Sequence, residues 1–274
     1  MANILIMGMG EIGRSIYKLY TPLKVLTGIY TIYYKDLKEV KNISNITPVK
    51  DLLDTTVSID VLHVSIPYTN TFIKDVTDVI KTYRPITTFI HSTIDVGTTR
   101  KVFEETKANI VHSPVMGLHP DLTESILTFR KIVGPINVGS EMLARKHLKE
   151  LGIKIEVYKS PEDSEASKML STSYYGTMIR FMQEVHDFCE ENNLDFDEVY
   201  GKTNDIYNEG YTKLGLNHVI RPVLKYNGRG IGGHCVWENA KILSENSDKN
   251  FIKNIVDEGK NKLKGGLASK ERGK

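Results

Sequence analysis

The first segment with recognisable chemistry lies near the N-terminus, at residues 8–13, and reads GMGEIG. It follows the apolar run 3–7 and precedes a stretch with helical periodicity. Between a strand and a helix, Gly8 permits a tight turn, Gly10 lets backbone amides approach a pyrophosphate, and Gly13 allows close packing of helix on strand. The segment therefore predicts a dinucleotide-binding site, in which Glu11, Ile12 and Pro67 also take part.

A carboxylate follows this motif at the spacing that a dinucleotide site requires. Asp36 ends the second predicted strand, about 20 residues past the glycines, where it would accept hydrogen bonds from the ribose hydroxyls. Its charge would repel a 2′-phosphate, so NAD is favoured over NADP as the cofactor. Two alternatives stay open: the neighbouring Lys35 would attract that phosphate, and Asp36 would serve equally as an exposed helix cap.

A second glycine-rich segment, residues 228–235, reads GRGIGGHC and ends in Cys235. Its four glycines let the backbone fold around the sulfur, and their amides would stabilise a thiolate or a developing oxyanion. A flexible loop that ends in a buried structural thiol is the alternative. The residue types alone do not separate these two interpretations.

The elements that must position these segments follow from the hydrophobic pattern. Short apolar runs alternate with amphipathic stretches, which is typical of an α/β fold with a Rossmann doubly wound parallel sheet. The predicted strands are 3–7, 30–34, 61–66, 88–91, 109–112, 131–133 and 154–158.

The pattern changes at Pro161, where apolar residues recur at steps of three and four over about thirty residues. Ser160, Pro161 and the acidic pair 162–163 mark the start of one long central helix, which opens an all-helical domain. Shorter helices are expected at 195–200, 203–214, 236–244 and 249–263. We predict a dinucleotide-binding domain over residues 1–158, a helical substrate and dimerisation domain over 159–263, and a disordered basic tail over 264–274.

The composition restricts the classes of partner. The 36 basic and 34 acidic residues nearly cancel to +2, which argues against a protein that binds nucleic acid through a basic face. The apolar runs are too short for a membrane span. With two distant cysteines and no signal sequence, we expect a cytoplasmic protein without disulfides, which acts on a small molecule and uses no metal.

Three motifs together resemble the UDP-glucose/GDP-mannose dehydrogenase family. Residues 230–235 (GIGGHC) resemble its GxGGHC cysteine motif, residues 91–99 (HSTIDVGTT) its STVPPGTT segment, and residues 165–170 (EASKML) the start of its central helix. A wider resemblance to 6-phosphogluconate and 3-hydroxyacid dehydrogenases rests on the long helix that bears a lysine. Relative to the first family, the chain is expected to lack the C-terminal domain that grips the nucleotide sugar.

The resemblance implies roles for individual residues. Family members oxidise a sugar-nucleotide alcohol with NAD, through a cysteine that captures the aldehyde. By position, Cys235 is the nucleophile, Lys168 stabilises oxyanions or binds substrate, and Thr93 lies beside the nicotinamide. The remaining expected substrate-binding residues are Thr172, Tyr175, His119, Arg229, Gly232 and Gly233.

Three positions depart from the family pattern. Val115 stands where the family has a glutamate after Ser-Pro, Thr172 replaces its helical asparagine, and Asn239 replaces its aspartate. Without those two carboxylates, a single hydride transfer is favoured over full oxidation to an acid. His112, His119 and His234 are candidate replacement acids or bases.

The sequence thus predicts an NAD-dependent oxidoreductase acting on a hydroxylated small molecule, such as a nucleotide sugar or a sugar acid. The long helix predicts a homodimer. Two alternatives remain: a 3-hydroxyacid-type dehydrogenase that uses Lys168 without cysteine chemistry, and a catalytically silent NAD-binding protein.

Overall fold

The computed structural model describes residues 2–27, 30–37, 46–49, 58–117, 122–228, 230–231 and 234–259. The chain divides into two compact units, Met1–Lys168 and Met169–Lys274. The division falls inside the long helix, whereas the predicted domain boundary precedes that helix. The predicted tail over 264–274 lies outside the described residues.

The first unit is built on one sheet of eight strands. They are β1 (Ala2–Met7), β2 (Tyr30–Lys35), β3 (Thr47–Pro48), β4 (Val61–Val64), β5 (Thr87–Ile90), β6 (Ile110–His112), β7 (Lys131–Pro135) and β8 (Ile155–Val157). Their order across the sheet is β3-β2-β1-β4-β5-β6-β7-β8. The doubly wound α/β fold is thereby confirmed.

Two details of the sheet differ from the predicted all-parallel arrangement. Strand β7 pairs antiparallel with β6, in the register Val111 to Pro135 and His112 to Gly134. The two-residue strand β3 extends the edge beside β2, with Thr47 opposite Tyr33. Neither feature carries a periodic signal, because strand direction and a two-residue pairing depend on distant parts of the chain.

Helices cover both faces of this sheet. They are α1 (Glu11–Thr27), α2 (Phe72–Tyr83), α3 (Thr98–Thr106), α4 (Thr123–Thr128) and α5 (Val138–Glu150). Alternate residues of β1 enter different cores: Ile4 and Ile6 belong to the core under α1, α4 and α5, whereas Leu5 and Met7 belong to the core under α2 and α3. This alternation is what a strand buried on both faces requires.

The long predicted helix is α6 (Pro161–Glu191), followed by a π-helical turn (Asp197–Lys202), α7 (Thr203–Lys213), α8 (His234–Ser244) and a last helix, α9, over residues 250–259. The predicted cap is present, since Ser160 Oγ accepts a hydrogen bond from Asp163 N at 3.1 Å. Among the described residues, no helix combines the length and hydropathy needed to cross a membrane.

The core under α1 and α5 contains a chain of hydrogen bonds between aromatic side chains. The carbonyl of Ser113 accepts from His91 Nδ1 at 2.7 Å, and His91 Nε2 lies 2.9 Å from His63 Nδ1. Tyr20 OH then joins His63 Nε2 to His147 Nε2. Because a carbonyl only accepts and a neutral imidazole has one donor and one acceptor, every donor in this chain points toward Ser113.

Burial keeps these histidines neutral. It lowers the pKa of His63 and of His91 well below the ordinary value and lowers the pKa of His147 to about 4. A protonated imidazole has two N–H donors, whereas each histidine in this series of hydrogen bonds has an acceptor on one side only. The chain is therefore compatible with the neutral forms alone.

We expect the free energy of unfolding to decrease as the pH falls from 7 toward 4. Below pH 6.5 the unfolded chain protonates histidines that the folded chain keeps neutral, and each contributes up to about 1.4 kcal/mol per pH unit. Burial raises the pKa of Glu165 to about 7, so this single carboxyl acts in the opposite direction and offsets only one of them.

Denaturant unfolding followed by circular dichroism at pH 7, 6 and 5 measures this slope. The variant His147→Gln retains a donor toward Tyr20 but does not titrate. In this variant the slope of the unfolding free energy against pH should decrease by the contribution of about one proton. Equal stability at pH 7 and 5 would contradict the account.

Candidate functional site

The glycine segment after β1 has the geometry that a phosphate site needs. Gly8 has φ of +91°, and a Cβ there would lie 2.7 Å from the carbonyl oxygen of Ser65. A Cβ at Gly13 would lie 1.9 Å from the carbonyl oxygen of Gly8, so α1 packs directly against the turn. A Cβ at Gly10, in contrast, would meet nothing within 4 Å. The backbone is thus closely packed at Gly8 and Gly13 and open at Gly10.

Asp36 closes this turn from the neighbouring strand. Its Oδ2 accepts a hydrogen bond from Met9 N at 2.7 Å, and Gly8 N donates to the carbonyl of Lys35 at 2.8 Å. The carboxylate therefore lies beside the turn rather than capping a helix as an isolated surface group. With the positive end of α1 beginning at Glu11, the arrangement fits a bound pyrophosphate and an adjacent ribose.

The other predicted cofactor residues lie at the same edge of the sheet. Pro67 follows β4 and is exposed, and Thr93 follows β5 and is half-buried. Ser92 Oγ, next to Thr93, donates to the carbonyl of Ile66 at 2.6 Å and ties these two loops together. Carboxyl ends of parallel strands form the binding edge in this class of fold, so Pro67 and Thr93 stay candidate cofactor contacts.

Glu165 positions the loop before α3, a role that no sequence motif indicates. Its carboxylate accepts from Gly97 N at 2.6 Å and from Thr99 N at 2.8 Å, and therefore caps the N-terminus of α3. Burial raises its pKa to about 7, although both hydrogen bonds favour the ionised form. Glu165 thereby joins α6 to the loop that carries Thr93.

Lys168, the predicted oxyanion-binding residue, is half-buried and donates from Nζ to the carbonyl of Val115 at 2.8 Å. A second lysine, Lys131, is almost fully buried and donates to the carbonyls of Ser113 and Pro114 at 3.0 and 3.1 Å. Burial, together with the charge of Lys168, lowers the pKa of Lys131 to about 7. Three successive carbonyls thus bind two amino groups.

His112 does not supply the acid or base that was considered for it. It is fully buried, its Nδ1 lies 2.8 Å from Ser164 Oγ, and its Nε2 lies 3.1 Å from the carbonyl of Ser92. Burial lowers its pKa to about 3, so the ring stays neutral near pH 7. Its role is structural, and His119 lies outside the described residues.

In the second unit, two of the departures from the family pattern contact each other. Asn239 Nδ2 donates to Thr172 Oγ1 at 3.1 Å, and the Thr172 hydroxyl donates to the carbonyl of Met169 at 2.8 Å. Tyr175, one turn further along α6, is exposed. The pair is neutral, so neither residue can act as a carboxylate base.

Cys235 is exposed in the first turn of α8, whereas the other cysteine, Cys189, is buried. Gly228 and Gly230 before it adopt φ of +84° and +88°, which only glycine tolerates easily. The positions of Arg229, Gly232 and Gly233 lie outside the described residues, as does the side chain of His234.

Comparison with known families supports the resemblance seen in the motifs. Residues 162–259 match the family model "UDP-glucose/GDP-mannose dehydrogenase family, central domain", and this region includes Lys168 and Cys235. The predicted resemblance is therefore confirmed for this part of the chain. A search of the curated proteins finds no matching sequence.

Several solved structures have the same fold. A UDP-D-ManNAc dehydrogenase from Pyrococcus horikoshii aligns with a TM-score of 0.75 at 14% identity, over 98% of this chain and 71% of that one. The UDP-N-acetyl-mannosamine dehydrogenase from Staphylococcus aureus gives 0.73 at 14% identity, over 99% and 70%. A 3-hydroxyisobutyrate dehydrogenase from Mycobacterium tuberculosis gives 0.66 at 14% identity, over 94% and 92%. At such identities the likeness establishes the fold alone.

Replacement of Lys131 tests its buried state. Between pH 7.5 and 9 the amine of Lys131 is protonated in the unfolded chain and neutral in the folded chain. The free energy of unfolding should therefore rise with pH, by about 1.4 kcal/mol per pH unit. In Lys131→Met this rise should vanish, as measured by denaturant unfolding across that range. A rise that persists in the variant would show that Lys131 is charged in the folded protein.

Proposed function

We propose that this protein is a dehydrogenase that transfers hydride between a CH–OH group of a small molecule and a nicotinamide dinucleotide. The observation that carries the proposal is the glycine turn, crowded behind Gly8 and Gly13 and open at Gly10, with Asp36 beside it. The family match over residues 162–259 supports dehydrogenase chemistry in particular.

NAD is the proposed cofactor, rather than NADP. The carboxylate of Asp36 is held beside the turn by Met9 N, in a position suited to accept hydrogen bonds from a ribose. A 2′-phosphate there would meet a negative charge. When bound, the cofactor supplies the nicotinamide ring as hydride acceptor or donor.

The chemistry of the chain's own residues follows from their environments. Oxidation of CH–OH to C=O transfers a hydride to the nicotinamide ring and releases the hydroxyl proton to solvent, and Lys168 is assigned to stabilise negative charge on the substrate oxygen. Cys235 is assigned as a nucleophile toward the resulting carbonyl: a C–S bond forms, and the thiol proton ends on the former carbonyl oxygen. The start of α8 would favour negative charge near this sulfur.

We propose that the reaction stops at one hydride per substrate. The cysteine adduct then breaks down by reversal of its formation: the C–S bond cleaves, the proton returns to the sulfur, and the carbonyl product leaves. Release of an acid would instead require a second oxidation and an activated water, and the family's carboxylates are replaced by Val115 and Asn239. Asn239 is instead hydrogen-bonded to Thr172, which supports a neutral binding role for both.

A hydroxylated anion, such as a nucleotide sugar or a sugar acid, is the proposed substrate class. Basic residues near the cysteine segment are its proposed contacts: Arg221, Lys225 and Arg229. Of these, Arg221 stacks on the ring of Tyr207 at 3.4 Å and donates to Asn204 Oδ1, so its guanidinium is held in place by the helix beneath it.

A second candidate is a 3-hydroxyacid-type dehydrogenase, in which Lys168 acts and Cys235 has no chemical role. The observation that favours it is the extent of the fold match to the 3-hydroxyisobutyrate dehydrogenase, of which this chain covers 92%. Both candidates require the same dinucleotide site and differ only in the role of the thiol.

The long helix supports the proposal of a homodimer. Four apolar side chains on α6 are exposed at steps of four and seven residues, which keeps them on one face: Leu170, Tyr174, Phe181 and Phe188. An apolar stripe of this length on a soluble chain favours burial against a second copy.

Turnover measured at 340 nm separates the candidates. With NAD and a panel of UDP- and GDP-sugars, their aldehydes and simple 3-hydroxyacids, we expect turnover of an anionic sugar derivative that is lost at least about a hundredfold in Cys235→Ser. A hydroxyl is a far weaker nucleophile, so the carbonyl is no longer captured and the hydride returns to it from the reduced nicotinamide. Cys189→Ala is the control and should retain activity. Turnover of hydroxyacids that is indifferent to Cys235 would establish the second candidate, and NAD binding without turnover would refute both.

Light scattering tests the dimer. The wild-type chain should scatter as a dimer at micromolar concentration, and Phe181→Glu should shift it to monomer because a charge would be buried in the proposed interface. The matched control is Ile206→Glu, at an exposed position on α7. A monomeric wild-type protein would remove the proposal.

A further inference from the structure

The backbone before Cys235 is held by two buried side chains and one half-buried side chain that the proposed reaction does not itself use. Gly228 and Gly230 both lie in the left-handed region, and a Cβ at Gly228 would meet nothing within 4 Å. The conformation there is therefore not imposed by crowding. Side-chain hydrogen bonds hold the backbone at these two glycines.

Those hydrogen bonds come from two helices. Gln183 Nε2 on α6 donates to the carbonyl of Gly228 at 3.3 Å and to that of Gly230 at 3.0 Å. From the other side, Glu258 Oε1 on α9 accepts from Gly230 N at 2.8 Å. The donor and the acceptor of Gly230 are thus both bound by buried side chains.

Arg180 joins the two side chains. Its Nη1 donates to Glu258 Oε2 at 2.9 Å and to Gln183 Oε1 at 3.1 Å. Gln183 and Glu258 are only 1% and 5% exposed, so their polar atoms are withdrawn from water. Buried polar networks of this kind specify one geometry, because a misplaced member leaves its partners unsatisfied.

The packing of α8 does not require this network. Gly176 of α6 lies against α8, since a Cβ there would come within 2.7 Å of Val236 Cγ1. Ile231, Val236, Ala240 and Ile255 form an apolar cluster around that contact. Apolar packing thus holds the body of α8, whereas the polar side chains bind the glycine backbone that leads into its first turn, where Cys235 lies.

We infer that Arg180, Gln183 and Glu258 form a clamp that fixes the backbone of Gly228 and Gly230 and thereby sets the position of Cys235. We call this set the glycine clamp. Its members are positioning residues, because they reach the reacting atom only through the glycine backbone. The inference rests on the proposed function in one respect, namely that Cys235 acts on substrate.

Hydrogen exchange of the full-length protein tests the clamp without reference to activity. Gln183→Met removes both donors to the glycine carbonyls without a change of charge, and Glu258→Gln removes the ion pair while keeping an acceptor for Gly230 N. Amides in peptides that span residues 226–236 should exchange about tenfold faster or more in each variant. The control is Glu184→Gln, since Glu184 is exposed and binds Arg180 Nη2 but not the glycines.

A second readout tests the effect on Cys235. If the clamp positions the thiol, kcat should fall about tenfold to a hundredfold in both clamp variants, while KM for the dinucleotide stays unchanged. Should Glu258→Gln fail to fold, Gln183→Met alone decides the matter.

The outcomes distinguish the clamp from the proposed function. Unchanged exchange over 226–236 in a folded Gln183→Met variant would overturn the clamp. Faster exchange with unchanged kcat would overturn its role in positioning Cys235. Faster exchange in a protein whose wild type turns over no substrate would leave the clamp standing and refute the proposed function.

Discussion

Three successive carbonyl groups after β6 determine how the first unit is organised around its site. Ser113 and Pro114 accept from Lys131, Val115 accepts from Lys168, and Ser113 also ends the histidine chain. A carbonyl can only accept, so it sets the direction of every hydrogen bond behind it. With valine at position 115, no side-chain carboxylate is available there, and Lys168 binds the backbone instead. The sheet, the buried histidines and the start of α6 therefore meet at one short loop.

At two of its three departures from the family pattern, the chain has a neutral residue in place of a charged one. Val115 carries no charge, and Asn239 and Thr172 satisfy each other. A buried carboxylate at either place would have required a cationic partner or a raised pKa. The charge of Glu258 is instead paired with Arg180, at 2.9 Å. The described residues at positions 115, 172 and 239 therefore offer no carboxylate that could activate water.

Local and long-range features of the fold differ in how well they could be predicted. The glycine turn, Asp36 and helix α6 could be predicted, because their signals are local motifs or periodic patterns. Glu165 caps a helix 66 residues away, Tyr20 binds His147 across 127 residues, and Glu258 binds Gly230 across 28 residues. Such contacts leave no periodic trace. A single lysine or histidine carries no sequence signal that distinguishes a buried position from an exposed one. The burial of Lys131 could therefore not be predicted either.

Binding of NADH, followed by its fluorescence, tests most directly the claim that the first unit holds a nicotinamide dinucleotide. Asp36→Asn keeps an acceptor for Met9 N but loses the charge beside the ribose, so affinity should fall about tenfold while NADPH binds no worse than before. Asp60→Asn is the matched control, because Asp60 likewise accepts a backbone amide, that of Asn3, at the opposite end of β1. Tight binding to the wild type and to Asp60→Asn, with the loss confined to Asp36→Asn, is the predicted result. No binding to the wild type, or equal loss in both variants, would contradict it.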